Sequence, residues 1–257
     1  MADEVKIWNK VLASAMALPG VKVNRREFLT HTLLPYCDTE DLKAIINGDK
    51  PASFLPLGLI DKLVDGCISS HLTKVTTISA IAGIPGGFTI LAAVPTDMAQ
   101  YYFHVFVLSQ KVAYLYGFPD LVDEEGHLSE DAQNQLTLFT GIMFGIAMAN
   151  EAIQELSKRF AGQILKRLPK YALTKTIIYP TVKHVAKWIG INLTKGTFAR
   201  IAGKVVPFLG GLISGTLTYI TFKSGAKNLK KSLHDCALIM QRPKQATEFE
   251  ETEIIEE

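Results

Sequence analysis

The chain has 257 residues, a net charge of +2, 48% hydrophobic residues and a mean hydropathy of +0.18. It is long enough to bury a sizeable core, and this hydropathy is high for a soluble enzyme but low for a multi-span transporter. Three cysteines with no CxxC pair exclude a zinc framework and a disulfide framework, and the acidic first residues differ from a secretory signal peptide, so a reduced cytoplasmic setting is expected.

Helix signals dominate the first third of the chain. Residues 24–27 (NRRE) predict a capping box, and Thr39 with the acids that follow it predicts a second helix start. Gly48 stands where a glycine should end that helix. After a loop bracketed by prolines, a long helix is predicted from Leu59 towards Gly83.

The following elements are also predicted to be helical. A glycine-rich break at 83–87 precedes a helix from Pro95 to Gly117, and an acidic loop separates that helix from the next one. Further helices are expected at 129–160, around 175–190 and from Val206 to the 230s.

No stretch of the chain alternates cleanly at period two, and no hairpin signal joins two β-rich runs. The expected fold is therefore all-α. It is a single-domain multi-helix bundle over 1–240 with apolar, glycine-bearing central helices, followed by an acidic disordered tail at 241–257.

Three apolar runs approach the length of a membrane span. The run at 75–96 is interrupted by Pro85, the run at 132–150 begins with polar residues, and the run at 205–222 covers about 27 Å as a helix. The sequence leaves open whether this last run ever inserts into a bilayer. Two GxxxG patterns predict close helix packing, in a soluble bundle or in a membrane; their glycines are Gly141, Gly145, Gly211 and Gly215.

Charge is divided sharply along the chain. Residues 1–155 hold 10 bases and 18 acids, residues 156–234 hold 15 bases and no acid, and residues 235–257 hold 2 bases and 7 acids. Such asymmetry favours either an anionic partner or a basic stretch that folds against the acidic part of the same chain.

The basic stretch fits lipid headgroups better than nucleic acid, because aliphatic residues lie between its lysines and no DNA- or RNA-binding motif is present. The expected partners are anionic membrane lipids or a membrane protein complex, and nucleic acid is not expected. The candidate anion-binding residues are Lys183, Lys187, Lys195, Lys204, Lys223, Lys227, Lys230 and Lys231.

One polar cluster could support catalysis. On a helix, Asp97, Gln100, Tyr101 and His104 would share a face, although Asp97 and His104 lie about 10.5 Å apart along the axis. Asp97 also suits a helix start, where it would bind free N–H groups. The other histidines are scattered, and neither HExxH, GxSxG nor a P-loop is present. No metal and no cofactor is predicted.

Short motifs recur in a fixed order: GIPGG at 83–87, PTDMAQYY at 95–102, KVAYLYG at 111–117, MFGIAMAN at 143–150, YPTVK at 179–183, Thr194-Lys195 and KVVPFLGGLISGTLTY at 204–219. Together these motifs resemble the EcsC family of bacterial helical proteins over residues 15–235, although Val112 stands where the family more often has leucine. The family takes its name from a protein encoded beside an ABC transporter and offers no catalytic residues to carry over. The resemblance implies a bacterial, helical, membrane-linked protein.

The leading hypothesis is a non-enzymatic protein, peripherally associated with the inner face of the cell membrane through its basic C-terminal half. The alternative is a metal-dependent hydrolase with a site around Asp97 and His104. A third hypothesis is a toxin-like protein whose glycine-bearing helix at 211–222 perforates a bilayer.

Overall fold

The computed structural model describes residues 2–81, 96–123, 127–169, 178–202 and 210–241. Side-chain surroundings are described within these ranges for 3–75, 100–123, 127–169, 178–193 and 219–241. The predicted acidic tail and the GIPGG motif lie outside the described residues.

The described residues form an all-α bundle, which confirms the predicted fold class. They contain no strand, and their only β-pairing is two isolated bridges. The helices are α1 (Ala2–Met16), α2 (Arg25–Leu33), α3 (Thr39–Ile46), α4 (Leu57–Ile81), α5 (Thr96–Leu115), α6 (Glu130–Met143), α7 (Ala147–Phe160), α8 (Tyr179–Ala202) and α9 (Gly210–Gln241), with a 3-10 turn at Pro51–Ser53.

Three helix starts are fixed by side-chain caps; the cap at Asn24 is the one that the sequence predicts, and the cap of α3 is Asp38, one residue before the predicted start at Thr39. The side chain of Asn24 accepts a hydrogen bond from the Glu27 N–H at the start of α2, Asp38 accepts two at the start of α3, and Ser129 accepts one at the start of α6. Each cap satisfies N–H groups that the first helical turn leaves free.

The prediction of one helix over 129–160 is wrong at its centre. Helix α6 ends at Met143, and α7 begins at Ala147. Gly145 lies between them with φ +76°, a left-handed conformation that favours glycine at a helix end. Gly145 therefore forms a turn and does not pack helix on helix as predicted.

Gly141 does lie at a close approach of helices. A methyl group added there would come within 2.6 Å of Val185 on α8 and 2.9 Å of Ala149 on α7. Gly190 on α8 is packed more tightly than Gly141, because a methyl group added there would collide with the backbone carbonyl oxygen of Glu4 on α1. The surroundings of Gly211 and Gly215 lie outside the described residues.

Helix α5 lies at the centre and contacts α1, α2, α4, α6 and α9. Trp8 of α1 anchors one side of it: the indole packs edge-on against Tyr102 with ring centroids 5.3 Å apart, and its N–H donates to Thr137 of α6 at 2.9 Å. The most extensive helix pairings are α4 with α9 and α1 with α8. These two pairings join the N-terminal half of the chain to its basic half.

Candidate functional site

The predicted polar face of α5 is divided between two neighbouring helices. The Tyr101 ring packs edge-on against Phe222 of α9 at 6.0 Å, while His104 contacts α4. Burial raises the pKa of Tyr101 to about 12. The side-chain oxygen of Gln100 is buried without a hydrogen-bond partner among the described residues, and the side chain of Asp97 lies outside them. The four residues therefore do not form one described site.

His104 instead forms a buried pair with His71 of α4, a partner that sequence reasoning missed. The two Nδ1 atoms lie 3.2 Å apart, and both residues are almost fully buried. Burial is the main reason that the pKa of His71 falls to about 3 and that of His104 to about 4. Both imidazoles are therefore neutral at pH 7.

A lysine fixes the direction of the hydrogen bonds in this pair. The Lys111 ammonium lies 3.5 Å from Nε2 of His71. Because an ammonium can only donate, Nε2 of His71 accepts and its proton lies on Nδ1. That proton is donated to Nδ1 of His104. The result is a directed chain from Lys111 through His71 to His104.

The histidine pair meets only part of the requirement for a metal site. Two nitrogens bound to one tetrahedral zinc ion lie about 3.3 Å apart, close to the observed separation. No group of three His, Cys, Asp or Glu residues suited to a metal occurs among the described residues, however. The neighbouring charges are also both cationic, since Lys74 and Lys111 each lower the pKa of His71 beyond the effect of burial.

The basic half of the chain divides into paired and unpaired lysines. On the side of α9 that faces α4, Lys230 donates to Asp65 at 2.7 Å, and His234 contacts Asp61 at 2.9 Å. Lys230 was predicted to bind an anionic surface, but this ion pair turns it towards the bundle. Lys187 of α8 is close enough to interact electrostatically with Glu4.

The outward side of α9 is different. Lys227 and Lys231 are exposed and form no ion pair with any described residue. Lys223, seven residues before Lys230 and half-buried on the same edge of α9, donates to the hydroxyl of Tyr219 at 3.1 Å. Asp235, one turn beyond Lys231, lines the same 230 Å³ cavity as Lys231.

Exposed apolar side chains adjoin these lysines. Ile220 is 57% exposed one turn before Lys223, and Trp188 of α8 is 38% exposed and packs against Phe144 with ring centroids 6.1 Å apart. Gly145, next to Phe144 in the chain, lines the same cavity as Lys231, so the aromatic pair and the lysines of α9 border one cavity. We call this the basic–aromatic surface; its members are Phe144, Trp188, Tyr219, Ile220, Lys223, Lys227 and Lys231.

The other predicted anion-binding lysines contribute less to the described surface. Lys183 lies 4.6 Å from the centre of the Tyr179 ring on the same helix. The side chain of Lys195 and the whole of Lys204 lie outside the described residues.

No helix in the described ranges combines the length and the apolarity needed to cross a membrane. Comparison with known proteins adds no relative: no protein-family description, curated protein or solved structure matches this chain. The resemblance to the EcsC family therefore stays a prediction from the motifs.

Proposed function

We propose that the protein is a non-enzymatic, EcsC-type helical protein that docks on anionic lipid at the inner face of a membrane. The observation that supports this most directly is the basic–aromatic surface. Its lysines form no ion pair with any described residue, and apolar side chains lie beside them.

The composition of this surface fits a lipid headgroup layer. Lysines near an anionic membrane each contribute about 1 kcal/mol to binding. Tryptophan and tyrosine, here Trp188 and Tyr219, favour the boundary between headgroups and acyl chains, where an apolar ring and a polar N–H or O–H group are both satisfied. Ile220, Ser224 and Lys227 follow one another along one side of α9, so apolar and basic groups would meet a flat surface together.

The first experiment uses the two tryptophans of the chain. Trp8 is fully buried, whereas Trp188 is partly exposed on the proposed docking surface. Vesicles containing phosphatidylglycerol should therefore shift the tryptophan emission to the blue, vesicles of phosphatidylcholine alone should not, and high salt should weaken the effect. Trp188→Phe should abolish the shift without preventing sedimentation with vesicles.

The second experiment removes charge from the surface. Lys227→Gln combined with Lys231→Gln should weaken sedimentation with anionic vesicles about 30-fold, which corresponds to about 2 kcal/mol. Arg26→Gln with Lys43→Gln is the matched control, because it removes the same charge from exposed positions on α2 and α3. The control should bind like the wild type.

Three results would contradict the proposal or change it. Equally poor binding of the wild type to both vesicles would overturn it. Equal loss in the control would mean that net charge, not this surface, drives binding. Release of an encapsulated dye would favour the perforating protein over quiet docking.

The metal-dependent hydrolase is a second candidate, supported only by the contact between His71 and His104. Metal analysis of the purified protein tests it, and so does addition of zinc while the imidazoles are observed by NMR. A stoichiometric metal that is lost in His104→Gln, with folding retained, would favour this candidate over docking.

A further inference from the structure

Helices α4 and α5 are held together at one point by a contact whose strength depends on its protons. His71 and His104 meet there through their Nδ1 atoms, 3.2 Å apart, inside the bundle. A hydrogen bond between two such nitrogens needs one proton and one lone pair. Neither imidazole has a carboxylate partner among the described residues that would favour its charged form.

An added proton has no place in this arrangement that leaves all contacts intact. If it binds Nδ1 of His104, either two N–H groups face each other or the proton of His71 moves to Nε2, which then can no longer accept from Lys111. If it binds Nε2 of His71, that atom can no longer accept from Lys111, and an imidazolium then faces an ammonium. Either site of protonation therefore breaks one hydrogen bond of the chain.

The charged groups around the pair strengthen this effect. Helix α4 contributes Lys74 and the thiol of Cys67, and α5 contributes Lys111. From α2 comes the uncharged ring of Phe28, 5.6 Å from the Lys111 ammonium.

The remaining charges near these helices do not offset the two lysines. The ionisable groups of α9 that face α4 are Lys230 and His234, and both contact aspartates nearer the start of α4. Asp97 lies near the start of α5, about 10.5 Å before His104 along the helix axis. The described surroundings therefore oppose a positive charge at the pair.

We infer that the contact between His71 and His104 is an acid-sensitive lock that holds α4 against α5 and releases it when the pair takes up a proton. The lock does not depend on the proposed docking. It joins the helix that leads into residues 82–95 to the helix that leads out of them, and that segment contains no charged residue.

The direction of the pH effect follows from the lowered pKa values. A histidine in the unfolded chain has a pKa of about 6.5, and the folded values are about 3 and about 4. The pair's contribution to stability is therefore complete above pH 6.5 and is lost progressively as the pH falls towards 4.

Hydrogen exchange of the wild-type protein tests the lock directly. Between pH 6.5 and 4, and after correction for intrinsic exchange, amides of α4 around His71 and of α5 around His104 should lose at least tenfold in protection. Amides of α7, which has no part in the contact, should lose less than threefold. Equal loss in all helices would mean general acid unfolding and would overturn the lock.

A double substitution removes both titratable imidazoles, and with them the acceptor of Lys111. His71→Leu with His104→Met replaces both partners and so leaves no unpaired nitrogen in the pair. Its melting temperature should fall less than half as far between pH 6.5 and 4 as that of the wild type, whereas His127→Gln, at an exposed histidine, should behave like the wild type. An undiminished fall would count against the lock, and if the double variant does not fold, the exchange data decide.

Discussion

The two sides of α9 show how differently one basic helix can use its charges. On the side that faces α4, Lys230 and His234 meet Asp65 and Asp61 at the spacing of one helical turn. On the outward side, Lys227 and Lys231 form no ion pair with any described residue, and Ile220 is exposed beside them. The inward groups bind α9 to α4, while the outward lysines remain available to a partner.

This comparison answers part of the question raised by the uneven charge of the sequence. The intramolecular explanation holds for Lys230 and applies in weaker form to Lys187, which lies near Glu4. It does not account for Lys227 and Lys231. Net charge alone could not separate these cases, because the separation depends on which side of the helix each lysine occupies.

The largest effect on stability is expected from Asp61→Ala on the inward side. Asp61 accepts from the hydroxyl of Tyr116 at 2.6 Å and contacts His234, and the substitution would leave both groups without this partner. We expect a loss of about 2 to 3 kcal/mol in the free energy of unfolding, measured by urea denaturation.

Asp61→Asn is the control for that prediction, because its amide oxygen can still accept from Tyr116. It should cost less than half as much as Asp61→Ala. Burial opposes ionisation of Asp61, but the hydrogen bonds from Tyr116 and His234 outweigh it, so the pKa of Asp61 is lowered. The benefit of Asp61 should therefore be present above pH 4 and lost as the pH falls further.

A smaller effect is expected from Gly225→Ala, also on the inward side. The added methyl group would lie 2.9 Å from the carbonyl oxygen of Met143, and the overpacking cost should exceed the gain in helix propensity by about 1 kcal/mol. Ser224→Ala, one residue away on the exposed side, should be neutral or slightly stabilising. Equal effects of the two substitutions in thermal unfolding would argue against the close approach of α6 and α9.

The smallest effect separates two lysines only three residues apart. Lys230→Gln should cost about 0.5 kcal/mol, because its ion pair with Asp65 is partly exposed. Lys227→Gln should leave the free energy of unfolding unchanged within error and should instead weaken binding to anionic vesicles. If Lys227→Gln destabilises the protein as much as Lys230→Gln, the outward lysines are engaged within the molecule after all.

The sequence was a good guide to the helices because their signals are local. Asn24, Asp38 and Ser129 cap the helices that follow them, and such caps depend only on residues within one turn. The break at 144–146 was not predicted, because Gly145 also completes a GxxxG pattern with Gly141. Only the backbone conformation distinguishes a turn glycine from a packing glycine.

The candidate sites were harder to predict because they join distant parts of the chain. His71 and His104 lie 33 residues apart, and no motif relates them. The lysines of α9 could be named from the sequence as an anion-binding set. Their division into Lys230 on one side and Lys227 with Lys231 on the other required knowledge of where α4 packs.

The pairing of α1 with α8 has a consequence for how the chain is made. Its tightest point, Glu4 against Gly190, joins the first helix of the chain to the helix before the last described one. At typical rates of synthesis, roughly 10 to 40 s separate the emergence of α1 from that of its main partner. During this interval the side of α1 that packs on α8 lacks its partner, whereas Trp8 can already pack against Tyr102 of α5 and donate to Thr137 of α6.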